Sequence, residues 1–364
     1  MGSNSTAIDV VSEFRFAVIG TGGMAASMMS TFAQAGVGVT AVASRDHERA
    51  HRFASTFGIP IASKSLGALL QNNEVDAVYV ANSNEEHART AIAALEAGKA
   101  VLCEKPLAVS AAEAERVAEA SRRTGNLCME AIWTLFLPAY RRFIGLARTK
   151  TCGVPDHLFA DFGYPVTKGA SPSLFSPTGG VLLDRGIYLV ALALKVLGPV
   201  ERVDARLRLT AHGVDNHASL QLSHSGGSQS QLSASLTSLM SNTATLACSD
   251  GIVRLEAPLI GAETVSVQLM SAERITPPDP ALPLRLRRRL VRRLHQIYPL
   301  RRLKRIIPEA RREHLSYGKD QYLPQLKHFL DLMKMGANES GVVPMEFSLA
   351  IQRVIDQARA DHKR

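Results

Sequence analysis

The stretch FAVIGTGGMA, residues 16–25, decides the fold of this chain. Its first four residues are apolar without polar alternation, which is typical of a strand in a sheet that helices cover on both faces. A glycine-rich turn follows, and a helical pattern runs on from Ala25 to Ala35. The order of strand, turn and helix indicates the first unit of a doubly wound α/β domain.

The turn itself has the pattern G-x-G-x-x-A. Its first glycine permits a tight turn, its second lets a pyrophosphate approach the backbone, and the small alanine lets the helix pack close to the strand. Free N–H groups at the start of the helix then face the phosphates. We therefore predict that this turn binds a dinucleotide through Gly20, Thr21, Gly22, Gly23, Met24 and Ala25.

Alternation of apolar runs with helical patterns continues over the first 130 residues. Strands are predicted at 16–19, 39–43, 59–61, 77–80 and 100–103. Helices are predicted at 25–35, 47–57, 85–97 and 111–124. This order predicts a parallel sheet with helices on both faces, a Rossmann domain over residues 14–130.

After about residue 155 the pattern changes. A helix over 180–197 precedes several β-type runs joined by Gly, Ser, Asp and Asn turns. These runs lie at 200–210, 217–224, 229–238, 243–248, 252–256 and 264–270, and two helices follow near 319–335 and 345–362. We predict a second, α+β domain over residues 131–364, with a large, open, mostly antiparallel sheet and the active site in the cleft between the domains.

Composition excludes several classes of protein. The chain has 364 residues, of which 46% are hydrophobic and 21% charged, enough for two ordinary cores. No apolar run reaches the roughly 18–20 residues of a spanning helix. No C-x-x-C pair or Cys/His cluster occurs, so we predict no metal site and expect reduced thiols in a cytoplasmic enzyme. The four cysteines are Cys103, Cys128, Cys152 and Cys248.

Positive charge is concentrated in one insertion, at about 281–312. The net charge is +9, yet residues 285–305 alone hold ten Lys or Arg and no acid. Leucines recur there at helical spacing, so the segment could lie on a membrane or another polyanion, or form a lid or interface helix. Recognition of an acidic substrate is a third alternative. Aromatic interleaving is poor, so no nucleic acid is expected.

Strand two ends in Ser44-Arg45-Asp46, which bears on the choice of cofactor. Ser44 can donate a hydrogen bond to a 2′-phosphate, and Arg45 can pair with it. These two residues favour NADP(H). Asp46 keeps NAD(H) open, because an acidic residue at this point grips the NAD ribose.

A catalytic group is predicted where strand five ends, at Glu104-Lys105-Pro106. Ligands of such sheets bind beyond the carboxyl ends of the strands, so Lys105 is placed to meet the nicotinamide ribose and the substrate. Asp184 and Tyr188 are four residues apart and share a helical face. The Tyr188 phenol can donate a proton to a carbonyl that receives hydride. A nearby lysine would lower its pKa from the usual value of about 10.

Together these motifs resemble the glucose–fructose oxidoreductase and inositol dehydrogenase family, Gfo/Idh/MocA, over about 14–275 and 318–362. The shared patterns are Gly20-x-Gly22-x-x-Ala25, Asn84-x-x-His87, Gly98-Lys99, Glu104-Lys105-Pro106 and Gly179-Gly180-x-x-x-Asp184-x-Gly186-x-Tyr188. The resemblance implies reversible hydride transfer on sugars, cyclitols or related alcohols, with Tyr188 as acid/base, Lys105 orienting and Asp184 positioning substrate or ribose. The cofactor contacts that we expect with it are Asn82, Ser83, Asn84, His87, Glu104 and Lys105, although His87 could merely shape its loop.

The segment Glu130-Ala131-Ile132-Trp133-Thr134 is similar to the branch of this family that contains dimeric dihydrodiol dehydrogenases and NADP-dependent xylose dehydrogenases. Trp133 is predicted as a substrate platform, with a core role as the alternative. Relatives commonly have Arg where this chain has Leu135, and Thr-Pro-Asn where it has Asn82-Ser83-Asn84.

These features predict an NAD(P)-dependent oxidoreductase that interconverts an alcohol and a carbonyl on a sugar-, cyclitol- or diol-like substrate. A homo-oligomer, dimer or tetramer, is expected to form through the open sheet face. The alternative function is a non-catalytic NADP-binding sensor or assembly protein that docks through its basic segment.

Overall fold

The computed structural model describes residues 13–169, 171–270 and 310–362. These residues form two sheets, of six and eight strands, with helices packed against both. The predicted basic insertion at 281–312 falls almost entirely outside the described ranges. Within those ranges, no helix is long and apolar enough to cross a bilayer.

The N-terminal sheet is parallel, and its strand order is β3-β2-β1-β4-β5-β6. Its elements are β1 (Arg15–Ile19), α1 (Gly23–Gln34), β2 (Gly38–Ala43), α2 (His47–Phe57), β3 (Ile61–Ala62), α3 (Leu66–Leu70), β4 (Ala77–Val80), α4 (Asn84–Glu96), β5 (Ala100–Glu104), α5 (Ala111–Thr124) and β6 (Cys128–Ala131). The order reverses between β1 and β4, the point at which such sheets bind ligands. The predicted doubly wound Rossmann architecture is confirmed.

Local sequence explains where these helices start and stop. The Asp46 side chain accepts a hydrogen bond from the Arg49 backbone N–H and so caps α2, and Ser110 caps α5 in the same way. Gly58 and Gly125 end the two helices in the left-handed conformation that glycine adopts without steric cost. The capping accounts for helix bounds that coincide with those predicted.

The second sheet has the order β14-β13-β12-β11-β7-β10-β9-β8, and all its pairs are antiparallel except β7 with β10. Its strands are β7 (Pro155–Gly163), β8 (Val200–Leu209), β9 (Asp215–His224), β10 (Gln229–Ser235), β11 (Ala244–Cys248), β12 (Gly251–Leu255), β13 (Thr264–Leu269) and β14 (Arg311–His314). The described residues of this half also form α-helices α6 (Pro138–Arg148), α7 (Ile187–Leu197), α8 (Leu323–Lys334) and α9 (Met345–Asp361). The predicted mostly antiparallel sheet is confirmed, although β7, β14 and α6 were not expected.

In the part of the chain that the structure describes, helices pack on one face of the large sheet and leave the other exposed. Apolar side chains such as Leu220 and Leu232 lie opposite each other in neighbouring strands and are buried. Residues between them in sequence, such as Gln221 and Gln231, are exposed on the opposite face. The open face is therefore polar over its central strands, apart from an exposed Phe159.

Helix α9 ties the two halves together. Its Asp356 carboxylate accepts a hydrogen bond from the Ala111 backbone N–H at 2.7 Å, at the start of α5. Its Asp361 carboxylate accepts one from the Ala205 N–H at 2.8 Å, in β8. One apolar core runs from the α1 side of the small sheet into the large one. The groups at the junction are thus held by both domains.

Candidate active site

The glycine-rich turn has the geometry of a phosphate cradle. Gly20 has φ of +117°, and a Cβ there would lie 2.2 Å from the Ala81 carbonyl oxygen, so only glycine fits. Gly22 and Gly23 have open space where a Cβ would point, and no side chain caps the start of α1. The N–H groups at this helix end therefore face a space that an anion can enter. The buried Ala25 packs the helix against the sheet.

A cleft of about 950 Å³ extends from this turn along the ends of β2 and β4. Its lining contains the predicted Ser44, Arg45 and Asp46, together with Arg49 and Lys64, which the sequence analysis did not single out. The Asp46 carboxylate is engaged by the Arg49 N–H at 3.2 Å. Asp46 is thus occupied as a helix cap, and three exposed cations line the same part of the cleft.

The loop after β4 forms another wall of the cleft, through Asn82 and Ser83. Asn82 donates to the Thr90 hydroxyl at 2.9 Å, while its Oδ1 is shielded from solvent and accepts no hydrogen bond from the described residues. Asn84, the residue after Ser83, donates a hydrogen bond to the Thr178 carbonyl oxygen at 2.9 Å. An acceptor shielded in this way at the wall of the cleft fits a bound ligand with a donor group.

His87 supports this loop from beneath. Its side chain is 1% exposed, with Nδ1 2.7 Å from the Pro106 carbonyl oxygen and Nε2 3.2 Å from that of Asn82. Burial lowers its pKa, so the ring is neutral. Both ring nitrogens face backbone, and any effect of His87 on a cofactor passes through these two turns. Its predicted contact with the cofactor stays a prediction.

The turn that carries Lys105 is held from several sides. Glu104 is buried, accepting the Tyr79 phenol proton at 2.6 Å and the Lys105 backbone N–H at 3.2 Å. Glu130, which was not predicted as a site residue, accepts the Leu107 N–H at 2.7 Å. Burial raises the pKa of Glu104, and it raises that of Glu130 to about 7. Both carboxyl groups therefore brace the turn from within the core, and the predicted contact of Glu104 with the cofactor stays a prediction.

Lys105 and Asp184 form an ion pair between the domains. The Lys105 ammonium donates to Asp184 twice, to its Oδ1 and to its backbone carbonyl oxygen, both at 2.9 Å. Burial disfavours the lysine charge, but the carboxylate outweighs burial and raises the lysine pKa. Burial likewise opposes the Asp184 charge, but Lys105, together with Arg185 at 3.6 Å, outweighs burial and lowers the Asp184 pKa. Both groups are charged, and each fixes the position of the other.

Asp184 lies in a π-helical turn, Leu182–Gly186, which precedes α7. The helix predicted over 180–197 is present over 181–197, but it contains this wider π-helical turn, which the sequence pattern did not indicate. Asp215 receives the Leu182 N–H at 2.9 Å and also sits against Gly180, where a Cβ would approach its Oδ1 to 2.4 Å. This close packing of the turn accounts for the glycine at position 180.

Tyr188 lies beside the ion pair, as predicted. The Lys105 ammonium is 5.0 Å from the centre of the Tyr188 ring. Burial raises the pKa of the phenol, and the Lys105 charge opposes that rise without overcoming it. The lowering that a nearby lysine was expected to cause is present, but burial outweighs it, so the net shift of this pKa is upward.

Aromatic side chains surround the phenol. The Trp133 indole N–H donates to the Tyr188 oxygen at 3.0 Å, and the indole is 4% exposed. Tyr322, another residue missed from sequence, packs edge-on against Trp133 with ring centres 5.1 Å apart. Phe162 packs on the Tyr188 ring at 6.4 Å. Leu135, two residues after Trp133, is buried in the core.

Family models match both halves of the chain. Residues 14–132 match the oxidoreductase family with an NAD-binding Rossmann fold, and residues 140–254 match the GFO/IDH/MocA C-terminal domain. A trans-1,2-dihydrobenzene-1,2-diol dehydrogenase from Sus scrofa is 30% identical over 324 residues, 88% of either chain. That from Oryctolagus cuniculus is 36% identical over 222 residues, 60% of this chain and 68% of the relative.

Solved structures give the same result. A 3-ketoreductase from Actinomadura kijaniata in complex with NADP and TDP-benzene has a TM-score of 0.77 at 25% identity, covering 95% of this chain and 97% of that one. A UDP-N-acetylglucosamine 3-dehydrogenase from Acidithiobacillus ferrooxidans, 18% identical with a TM-score of 0.73, shares the fold over 95% of this chain and 97% of its own. The chain therefore belongs to the Gfo/Idh/MocA family of oxidoreductases, whose N-terminal domain is an NAD-binding Rossmann fold.

Proposed function

We propose that this protein interconverts an alcohol and a carbonyl on a sugar-, cyclitol- or diol-like substrate, with NADP(H) as the hydride carrier. One observation carries the proposal: Lys105, Asp184 and Tyr188 converge at the sheet edge that also carries the glycine-rich turn. A sensor without catalytic activity, the alternative from sequence, has no need of this arrangement.

The residues of the cleft fit such a cofactor. The space at Gly22 and Gly23 and the helix end behind them suit a pyrophosphate. Ser44, Arg45 and Lys64 line the part of the cleft in which a 2′-phosphate would lie. Because Asp46 is engaged as a helix cap, the ribose grip expected of an NAD site is weakened. When bound, the cofactor supplies or accepts the hydride.

The chain's own groups handle the proton. Tyr188 Oη is the proton donor to a carbonyl oxygen in reduction and the acceptor in oxidation. Asp184 holds the Lys105 ammonium in place, and the ammonium can then orient the reacting oxygen. The turn that carries Lys105 cannot drift, because Glu104, Glu130 and His87 hold its backbone.

Aromatic rings beside Tyr188 favour a substrate with an apolar ring face. Trp133 and Phe162 pack against the phenol and Tyr322 packs against Trp133, and a substrate ring that carries hydroxyl groups packs well beside such an aromatic cluster. The relatives named as dihydrodiol dehydrogenases and the 3-ketoreductase that holds a TDP ligand support diols and sugars as the substrate class.

Two further proposals concern association. We propose that the open face of the large sheet pairs with a second copy of the chain, and sedimentation velocity will give the oligomer number. The basic segment lies outside the described residues, and for it we propose an interface or lid role over membrane contact. Weak, salt-independent retention on anionic vesicles is expected, with altered Michaelis constants or dimer stability when Arg288, Arg292 and Arg293 are changed to Ser.

The test of the activity is a substrate panel. Sugars, inositols, cyclic diols and nucleotide sugars are each assayed with NADP⁺ and NAD⁺, and reduced nicotinamide is followed by its absorbance. Turnover with NADP⁺ that is lost in Tyr188→Phe supports the proposal. Tight NADP(H) binding without turnover across the panel, in protein that is folded, would favour the sensor.

A further inference from the structure

The oxygen of Tyr188 has a neighbour that the proposed chemistry leaves unused. Trp133 Nε1 donates to it at 3.0 Å. An indole N–H is a donor only, whereas a phenol both donates and accepts. The bond therefore occupies a lone pair of the phenol oxygen and leaves the phenolic proton free for another acceptor.

Lys105 relates to the phenol differently. Its ammonium lies over the ring, 5.0 Å from the centre, and donates to two oxygens of Asp184. Its charge thus acts on Tyr188 from the ring face. The hydrogen bond that the structure describes on the phenol oxygen comes from Trp133.

Packing fixes the direction of the indole. Trp133 begins a 3₁₀ turn, Trp133–Phe136, and is nearly buried. Tyr322 meets its ring edge-on at 69°, and the Tyr322 hydroxyl contacts the Met24 sulfur at 3.9 Å. A donor held in this way needs no reorganisation when charge develops on its partner.

The charged and titratable groups around the phenol do not act in one direction. Lys105 favours a negative charge on Tyr188, whereas Glu104, from the same strand end, and Asp184, from the π-helical turn, oppose it. On the side of α6 lies Tyr140, itself an uncharged phenol. Arg185 also pairs with Asp184, at 3.6 Å, and its guanidinium lies over the Phe162 ring. Because these charges largely oppose one another, a direct donor on the oxygen has a large effect on the phenoxide.

We propose that Trp133 is a positioning residue for the acid–base step. Its N–H turns the Tyr188 proton toward the substrate oxygen and holds the phenoxide that remains when the proton has moved. In reduction, the O–H bond of Tyr188 breaks as the substrate oxygen gains the proton, while the substrate carbon gains the hydride that the cofactor supplies. Oxidation reverses both transfers. The inference rests on the proposed acid–base role of Tyr188.

The composition of the chain allows a test at one atom. Trp133 is its only tryptophan, so growth of a tryptophan auxotroph on 3-benzothienyl-alanine replaces one N–H with sulfur and keeps the ring shape. Protein from the same strain fed tryptophan is the matched control. For alcohol oxidation near neutral pH, we expect kcat to fall about tenfold or more, because the phenoxide loses a hydrogen-bond donor. In the pH profile of kcat, the range over which kcat increases with pH should move to higher pH by about one unit or more. The Michaelis constant should change little.

If the sulfur isostere has the same kcat and the same pH profile as the control, the inference is overturned. A raised Michaelis constant with an unchanged kcat would also overturn it, because that result indicates that Trp133 binds the substrate directly. The single indole N–H resonance gives a readout without turnover. It should shift when Tyr188→Phe removes the acceptor, and an unmoved resonance contradicts the contact. The two proposals fail separately: Tyr188→Phe with retained turnover refutes the acid–base role itself. If Tyr188→Phe loses turnover but the protein with sulfur in place of the indole N–H is unaffected, only the role assigned to Trp133 is refuted.

Discussion

The candidate site has a catalytic end and an end that we propose for the adenosine of the cofactor, and the two hold their charges in opposite ways. At the catalytic end, Lys105 and Asp184 are 14% and 28% exposed and are joined at 2.9 Å. At the other end, Arg45, Arg49 and Lys64 are exposed, and none of them forms an ion pair with another described residue. The charges of the catalytic end are paired within the protein, whereas the cations of the other end are available to bind an anion.

This difference predicts how each end responds to substitution. A buried pair loses a fixed geometry when one partner is removed, and the other is left as an unpaired charge. Exposed cations act on a ligand through water and salt, so each contributes a partial, screened attraction. Changes at the catalytic end should therefore affect turnover, and changes at the adenosine end should affect cofactor affinity.

Removal of the Tyr188 hydroxyl should have the largest effect. We expect Tyr188→Phe to lower turnover about 10²- to 10⁴-fold, the usual contribution of general acid–base catalysis, and to leave NADP(H) affinity unchanged. Steady-state rates and a fluorescence titration of NADPH check the two halves of this prediction. A large loss of NADPH affinity would mean that the two ends of the cleft do not act separately.

Breaking the ion pair comes next. Asp184→Asn keeps the shape and the backbone acceptor but removes the negative charge that holds Lys105. One lost charge-assisted hydrogen bond lowers turnover by about 10- to 100-fold. Asp204→Asn, a change at an exposed aspartate of β8, is the matched control and should leave the rate unchanged. Equal rates for wild type and Asp184→Asn would show that the ion pair between Lys105 and Asp184 does not contribute to turnover.

At the adenosine end, Arg45→Ala should weaken NADP(H) about tenfold or more and leave NAD(H) nearly unchanged, because a charge-assisted bond to the 2′-phosphate is lost. Arg52→Ala is the control, since Arg52 lies on α2, the helix that follows Arg45, and pairs with Glu48 instead of lining the cleft. Binding constants for both cofactors decide the outcome. An equal loss for NAD(H) would contradict the assignment.

The smallest effect is expected for Lys64→Ala. An exposed cation of this kind should change NADP(H) affinity only about two- to fivefold. The loss should shrink as salt is added, because exposed charges are screened beyond roughly 8–10 Å at physiological ionic strength. Titrations at low and high salt measure this directly. A loss that is independent of salt would indicate a buried, specific contact at Lys64.

The same division explains what could be predicted from sequence. The glycine turn, Lys105 and Tyr188 lie at strand and helix ends, where local pattern and topology together fix position. Arg49 and Lys64 carry no such pattern, since an exposed cation on a helix or loop reads as a solvated surface charge. Only the folded chain brings them beside Arg45.

Missed elements have similar causes. Strand β14 reads RREH, with no apolar residue, and is a strand because it pairs with β13. Strand β7 carries Asp156 and His157 near its start and Asp161 after its buried Ala160, and its pairing with β10 and β11 outweighs that composition. The raised pKa of Tyr188 depends on burial by residues far away in sequence.

A crystal structure of the NADP⁺ complex tests most directly whether one cleft joins these two ends. The account predicts the 2′-phosphate among Ser44, Arg45 and Lys64, the pyrophosphate over the N–H groups at Gly22 and Gly23, and the nicotinamide beside Lys105 and Tyr188. A 2′-phosphate bound away from these cations, or a nicotinamide turned away from Tyr188, would contradict it.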